Sequence, residues 1–191
     1  MNNPNLLIFA VVVVVVWCLI TYFWPRMLLS VFKRGFLRYG LGEGPVPINT
    51  LCTQPQALFA DPLNAPASAP KVITSGVNHD TLLTAGWLDL IKGSQILHVP
   101  EMHGRYYSVQ FTDPTKNTVF AYVGKRTTGT QSGDYLITGP GWKGKAPDGM
   151  KQITSPKNGV MVIGRVLVES DSDLPEAYDL SKQIQLTPFS D

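Results

Sequence analysis

The chain has 191 residues, and its 16 basic and 14 acidic side chains nearly balance. The balance is uneven, because residues 1–44 carry four basic residues and one acidic residue, whereas residues 45–191 carry twelve and thirteen. The larger part therefore lacks the basic excess of nucleic-acid-binding domains, and we expect no nucleic-acid partner. Its length is sufficient for one soluble domain with a hydrophobic core.

The first element is an apolar run over residues 6–24 that contains no charged side chain. As an α-helix, a run of this length spans the ~30 Å hydrocarbon core of a bilayer at about 1.5 Å per residue. Trp17 and Tyr22–Trp24 lie toward its C-terminal end, and aromatic rings favour the membrane–water interface. The sequence therefore predicts a single-pass membrane anchor within residues 1–25, with the lipid bilayer as its partner.

A cleaved signal peptide is the alternative interpretation of the same run. Such a peptide has basic residues before its apolar core and small residues at its cleavage site. Here the first five residues contain no lysine or arginine, and the run ends in the bulky residues Tyr22–Met27. These features favour an anchor that is retained in the mature protein.

Residues 26–44 form a separate basic segment after the anchor. Within it, residues 26–39 have a helical period that places the basic side chains opposite an apolar face. Such a helix binds anionic headgroups, and packing against the soluble domain is an equally good interpretation. Because positive charge follows the anchor, the positive-inside rule predicts a cytoplasmic soluble domain. The basic residues are Arg26, Lys33, Arg34 and Arg38.

Residues 40–70 contain three glycines and six prolines, which predicts a connector with short structured pieces. Cys18 lies in the apolar run, so Cys52 has no disulfide partner in the soluble domain, and cysteines cannot supply a zinc site there. His98 and His103 are close in sequence, but no third ligand has a metal-binding spacing. We therefore interpret the histidines as exposed loop residues.

From residue 71 onward, short β-prone runs alternate with turn signals, which indicates a mainly β (α+β) fold. We expect an antiparallel sheet or sandwich-like domain over residues 45–191, with one or two helices. One helix is predicted over Leu174–Gln183, with Asp173 as N-cap and Pro175 at its first position. The predicted strands are Lys71–Thr74, Leu82–Leu90, Gln95–Val99, Arg105–Thr112, Thr118–Val123, Tyr135–Thr138, Gln152–Thr154 and Val160–Val168.

The strand Val160–Val168 is apolar on both faces, which predicts that both faces are covered. Arg165 would then be buried, and a buried guanidinium needs a carboxylate partner. We expect that partner to be one of three aspartates. They are Asp80, Asp89 and Asp113.

The segment Gly139–Ala146 matches both G-x-G-x-x-G and G-x-x-x-x-G-K. Both patterns bind phosphate only when a helix opens directly after the loop. Here a turn follows, Ala146 replaces the metal-binding hydroxyl, and Pro140 removes a backbone donor. A turn that buries Trp142 is the better interpretation, and the sequence predicts no catalytic, cofactor-binding or metal-binding residue.

Seven ordered motifs resemble the domain-of-unknown-function 1254 family over roughly residues 45–191. The resemblance implies that larger relatives continue into a 1214-type domain, so that this chain looks like a split form lacking it. Family members are often exported, and the family often has Tyr where Leu83 stands here. The motifs are Val77–Thr81, Trp87–Leu90, Gly104–Tyr107, Arg126–Gly129, Gly139–Trp142, Gly164–Arg165 and Gln185–Pro188.

Two classes of function follow. The first is a non-catalytic binding or assembly module completed by a partner, either a separate 1214-type protein or a second copy. The second is an enzyme or ligand-binding protein that acts on a small or lipophilic molecule through a polar and aromatic pocket. The same side chains would otherwise form a structural hydrogen-bond network. They are Asn78, Asp80, Trp87, Arg105, Tyr107, Arg126, Trp142 and Arg165.

Overall fold

The computed structural model describes residues 4–42, 44–56 and 80–190. Asn78 and the predicted strand Lys71–Thr74 therefore lie outside the described residues. The chain divides into two compact units, Met1–Arg34 and Gly35–Asp191.

The first unit is the greater part of one helix, α1 (Pro4–Tyr39), which continues through Pro25. The helix is long and apolar enough to cross a bilayer, and Trp17 is 67% exposed within it. Thr21 donates its hydroxyl proton to the carbonyls of Trp17 and Cys18, so this polar group is satisfied within the helix. Membrane anchors and signal sequences share these properties.

The described residues of the second unit form two β-sheets and one complete further α-helix, as the sequence predicts for the fold class. The first sheet has the strand order β1-β2-β8-β4-β5, and all its neighbouring pairs are antiparallel. The second has the order β7-β6-β3-β9, in which only β6 and β7 are parallel. The elements are β1 (Leu51–Thr53), β2 (Thr81–Asp89), β3 (Gln95–Val99), β4 (Tyr107–Asp113), β5 (Thr118–Gly124), β6 (Gly133–Thr138), β7 (Lys151–Thr154), β8 (Gly159–Leu167), α2 (Leu174–Gln183) and β9 (Gln185–Pro188).

One hydrophobic core lies between the two sheets and α2. Strand periodicity places alternate residues of each strand in it, since successive side chains point to opposite faces. The first sheet contributes Val109 and Val162, the second contributes Leu97 and Ile137, and α2 contributes Ala177, all fully buried. The inner face of the first sheet is therefore covered within this chain.

The segment before β1 is more ordered than the sequence indicates. Leu41 and Val46 are buried, and the backbone N–H of Val46 donates to the carbonyl of Leu37. Asn49 has φ 66°, and its Oδ1 accepts from the N–H of Asp89 at 2.7 Å. These contacts attach the segment to the end of β2.

The burial prediction for β8 is wrong on one face. Val160, Val162 and Val166 are fully buried, but Arg165 is exposed on the opposite face. Among the described residues, Arg165 forms no ion pair with any of the three predicted aspartates. Met161 and Ile163 made this face look apolar in sequence, yet they are only half-buried.

The predicted bounds of α2 are confirmed, but the role expected for Asp173 needs correction. Asp173 stands at the N-cap position and makes no side-chain cap hydrogen bond. Its carboxylate instead accepts from Arg105 and from the N–H of Glu169. An ionic partner therefore replaces the capping interaction.

Candidate functional site

A cleft of about 370 Å³ lies on the outer face of the first sheet, across β8, β4 and β5. Three of the predicted candidate residues line it, namely Arg126, Arg165 and Tyr107. Its lining residues are Tyr106, Tyr107, Ser108, Gln110, Tyr122, Val123, Gly124, Arg126, Thr127, Ile163 and Arg165.

The strand register builds the floor of the cleft in two rows. In the first row, Ser108 of β4 lies between Arg165 of β8 and Gly124 of β5. In the second row, Gln110 lies between Ile163 and Tyr122. The rows are two residues apart along each strand, which is about 6.5–7 Å.

Gly124 is the β5 residue of the first row, and the packing at this position leaves no room for a side chain. A Cβ atom at this position would lie 2.7 Å from the carbonyl oxygen of Tyr107 and 3.0 Å from Cα of Ser108. Glycine is therefore required for the close approach of β5 to β4. The carbonyl of Gly124 accepts from the backbone N–H groups of Thr127 and Thr128, which form the turn that carries Arg126.

The cleft is cationic. Arg126 and Arg165 are both exposed, and the described lining contains no carboxylate. The guanidinium carbon of Arg126 lies 5.6 Å from the ring centroid of Tyr106, within the range of a cation–π contact. Guanidinium groups keep their charge at all physiological pH values, so this face of the sheet has a fixed positive potential.

The opposite end of the cleft is aromatic and held by hydrogen bonds. The hydroxyl of Tyr122 donates to Oε1 of Gln110 at 3.3 Å, and Nε2 of Gln110 donates to Oγ1 of Thr112 at 3.0 Å. Tyr122 is nonetheless 48% exposed. An exposed ring beside polar neighbours is available to contact a ligand.

The side chain of Tyr107 lies on the core side of β4, beneath the floor of the cleft. Its side chain is fully buried in the core, and its hydroxyl lies 3.4 Å from Oγ1 of Thr128. Burial raises the pKa of the Tyr107 phenol, and the nearby Thr128 hydroxyl opposes that shift only in part. Tyr107 therefore supports the cleft and does not present its hydroxyl to it.

Family comparison agrees with the motifs. The family described as "Protein of unknown function (DUF1254)" matches residues 61–188. The chain belongs to this family.

A solved structure is similar to this DUF1254 protein. It is the VPA0106 protein from Vibrio parahaemolyticus, with a TM-score of 0.63 and 23% sequence identity over 88% of this chain. The similarity supports the fold, and the chain spans 37% of the length of that protein. A search among curated proteins found no match.

Three further candidate residues lie away from the cleft. Arg105 is bound to Asp173, at the start of α2. Trp87 is buried in β2 opposite Met161, and Asp80 is an exposed residue directly before that strand. These positions indicate structural roles for Arg105 and Trp87.

Trp142 lies in the turn after β6, as the sequence predicts, but it is only half-buried and not buried as expected. No helix lies between Gly139 and the start of β7 at Lys151, and all residues of this stretch are described. The ring of Trp142 packs edge-to-face on Phe189, with centroids 6.2 Å apart. Trp142 therefore attaches the turn to the residue that follows β9.

A larger cavity of about 490 Å³ lies beside β1 and α2 in this DUF1254 protein. Its lining includes Leu41, Cys52, Tyr178 and Lys182, and none of the predicted candidate residues. We favour the smaller cleft as the functional site, because two exposed cations and fixed polar groups meet there.

The candidate histidines do not form a metal site among the described residues. Nδ1 of His98 lies 2.7 Å from Oδ1 of Asp134, across β3 and β6. No group of three or more metal-binding side chains occurs in the described part of the chain. His98 thus lies in the predicted strand Gln95–Val99, so the interpretation of the histidines as loop residues is wrong for it. His79 lies outside the described residues.

Eight of the lining residues were missed by the sequence interpretation, and four of them follow one pattern. They occupy outward positions of β4 and β5, or the turn before β4, where polar and aromatic side chains alternate with buried apolar ones. That alternation was the available signal, because outward residues on adjacent strands form one surface. These four residues are Tyr106, Ser108, Gln110 and Tyr122.

Proposed function

We propose that this protein is a membrane-anchored binding module that holds a small oxyanion-bearing molecule in the cleft, without catalysing a reaction on it. One observation carries the proposal. Arg126 and Arg165 line one open cleft, and its described lining offers them no carboxylate. Two unneutralised guanidinium groups favour carboxylate or phosphate, which they bind through parallel N–H donors.

The polar floor supports the same chemistry. The hydroxyl of Ser108 lies in the row of Arg165, whereas that of Thr127 already donates to the carbonyls of Tyr122 and Gly124. Hydroxyl groups complement guanidinium donors around an oxyanion. The site is open to solvent, so we expect weak binding that depends on salt concentration.

The composition of the lining favours binding over catalysis. Histidine, carboxylate and thiol groups are the usual proton-transfer groups and nucleophiles near neutral pH. The described lining contains none of them. An enzyme that uses Tyr106 or Tyr122 as its acid–base group is the alternative, and turnover of a bound ligand would favour it.

The location is part of the proposal. Residues 6–24 would anchor the protein in the bilayer, because the exposed apolar side chains of α1 need a nonpolar environment. The basic residues after the run favour a cytoplasmic position for the second unit. The cleft would then sample ligands close to the cytoplasmic membrane surface.

Assembly with a partner is a second proposal about the same module. Among the described strands, β5 is a sheet edge of seven residues without charge or proline, and such edges are templates for strand pairing. The partner would be a 1214-type protein or a second copy. Light scattering of the full chain in detergent, with and without a 1214-type protein from the same cell, tests this. A monomer under both conditions would refute it.

Calorimetric titration of the full-length protein in detergent with inorganic phosphate and with acetate tests the oxyanion proposal. We expect binding by the wild-type protein that weakens as the salt concentration rises. Replacement of Arg126 or Arg165 by glutamine should reduce affinity about tenfold or more, because each removes a charged hydrogen-bond donor.

Lys116→Gln is the matched control. Lys116 is an exposed cation on the same β4–β5 hairpin, at the end away from the cleft. The variant removes one positive charge without changing the lining. Equal loss of affinity in all three variants would mean that net charge alone binds the anion, and the proposed site would be wrong.

A further inference from the structure

We propose that the natural ligand carries a planar apolar body attached to its oxyanion, and that Tyr122 and Ile163 bind this body. The inference rests on the proposed function, since it assumes that the arginines hold the oxyanion. It extends that function from an ion to a class of molecules, the aryl phosphates and aryl carboxylates.

The spacing of the two rows matches a ligand that has an oxyanion at one end and a ring at the other. The oxyanion groups belong to the row of Arg165 and Ser108, whereas Tyr122 and Ile163 belong to the next row. The rows are separated by about 6.5–7 Å. This separation is close to the distance between a carboxylate or phosphate and the far edge of an attached six-membered ring.

The side chains of the second row suit a flat apolar ring. Tyr122 and Ile163 flank Gln110 on opposite sides, about 10 Å apart because each neighbouring strand is about 4.8 Å away. A flat ring fits between an aromatic and an aliphatic wall and can lie on the amide of Gln110. Aromatic rings gain from edge or offset contact with a tyrosine ring.

The second row is also preorganised. The hydrogen bonds from Tyr122 to Gln110 and from Gln110 to Thr112 restrict both side chains before any ligand arrives. A restrained aromatic wall loses little conformational entropy on binding. The 48% exposure of Tyr122 leaves an apolar surface that a ligand ring would cover.

The size of the cleft agrees with this class. A bare phosphate would fill a small fraction of about 370 Å³. Cavities near this volume are at the lower end of the range for small-molecule sites, which suits one ring with a charged head.

Titration of the full-length protein with phosphate, phenyl phosphate, acetate, benzoate and phenol tests the inference. We expect each aryl anion to bind about tenfold tighter than its parent ion, and phenol, without the anion, to bind far more weakly. Tyr122→Ser should abolish this preference, whereas Tyr122→Phe should retain it. Ile91→Ser, at a residue 78% exposed and outside the cleft, is the control for loss of surface apolarity.

The outcomes separate the two proposals. Arginine-dependent binding of phosphate and acetate, with no preference for the aryl forms, would overturn this inference and leave the proposed function in place. No arginine-dependent binding of any anion would overturn both. A preference shown by phenyl phosphate alone or by benzoate alone supports the inference and identifies the headgroup.

Discussion

Arg105 and Asp173 form a two-point ion pair that joins three parts of the fold. Nη2 of Arg105 lies 2.7 Å from Oδ1 of Asp173, and its Nη1 donates both to the other carboxylate oxygen and to the carbonyl of Leu167. Asp173 also accepts from the N–H of Glu169. The pair thus connects the turn before β4, the end of β8 and the start of α2.

Removal of one partner should destabilise the second unit. The side chains of Arg105 and Asp173 are only 11% and 15% exposed, so Asp173→Ala leaves a largely buried guanidinium with only the more distant carboxylate of Glu176, at 3.6 Å. We expect a loss of about 3 kcal/mol in the free energy of unfolding, at the lower end for buried pairs. Urea denaturation followed by tryptophan fluorescence measures it. The control, Asp148→Ala, breaks the exposed Lys145–Asp148 pair and should change nothing measurable.

The same pair should make stability depend on acid pH. The hydrogen bond from Arg105 lowers the pKa of the Asp173 carboxyl below its usual value, and burial opposes this only in part. Because the folded pKa is lowered, the stabilisation is complete above the unfolded value of about 3.9 and disappears as pH falls through the folded pKa. Asp173→Asn should therefore show a shallower loss of stability below about pH 4. Parallel curves for the wild-type protein and the variant would contradict this.

Asp113 contributes to the same acid transition. Burial favours its neutral form, but hydrogen bonds from the hydroxyl and N–H of Thr115 outweigh that effect and lower its pKa. The sign is therefore the same as for Asp173, and some acid sensitivity should survive in Asp173→Asn.

Arg165→Ala should separate binding from stability. The side chain is exposed, so the free energy of unfolding should change by no more than about 0.5 kcal/mol. Affinity for the oxyanion should fall in the same variant. A large drop in melting temperature would show that Arg165 has a structural partner after all.

The side of the membrane is accessible to cysteine labelling. Lys116 is exposed on the β4–β5 hairpin, so Lys116→Cys, with Cys52→Ala to remove the other cysteine of the second unit, provides a reporter. We expect a membrane-impermeant maleimide to label it only after lysis, because the positive-inside rule places the unit in the cytoplasm. Labelling in intact cells would place it outside.

The fold was predictable where a local pattern decides the structure. Gln95–Val99 and Leu174–Gln183 have the predicted bounds, because alternation and helix-start signals mark them clearly. The strand Leu51–Thr53 was missed since three residues carry little periodicity, and Gln185–Pro188 since it follows α2 directly and is largely polar. The parallel pairing of β7 depends on topology, which no local pattern encodes.

The site was predictable only in part. Arg126 and Arg165 were chosen from motifs, but the sequence placed Arg165 in the core, because Met161 and Ile163 made its face look apolar. The ion pair expected for Arg165 belongs to Arg105, whose partner lies 68 positions away. Contacts across such distances follow from the strand order, and a single sequence does not reveal them.

The central position of β8 has a consequence for the order of folding. Strands β2 and β4 both pair with Gly159–Leu167 and not with each other, so the first sheet lacks its middle until that segment has left the ribosome. The β4–β5 hairpin can form earlier from local contacts, whereas β2 can pair until then only with the three residues of β1. Such nonlocal pairing slows folding and prolongs the lifetime of aggregation-prone intermediates that expose apolar surface. We therefore expect a nascent chain that is vulnerable to aggregation until Leu167 emerges, and that depends on chaperones during this interval.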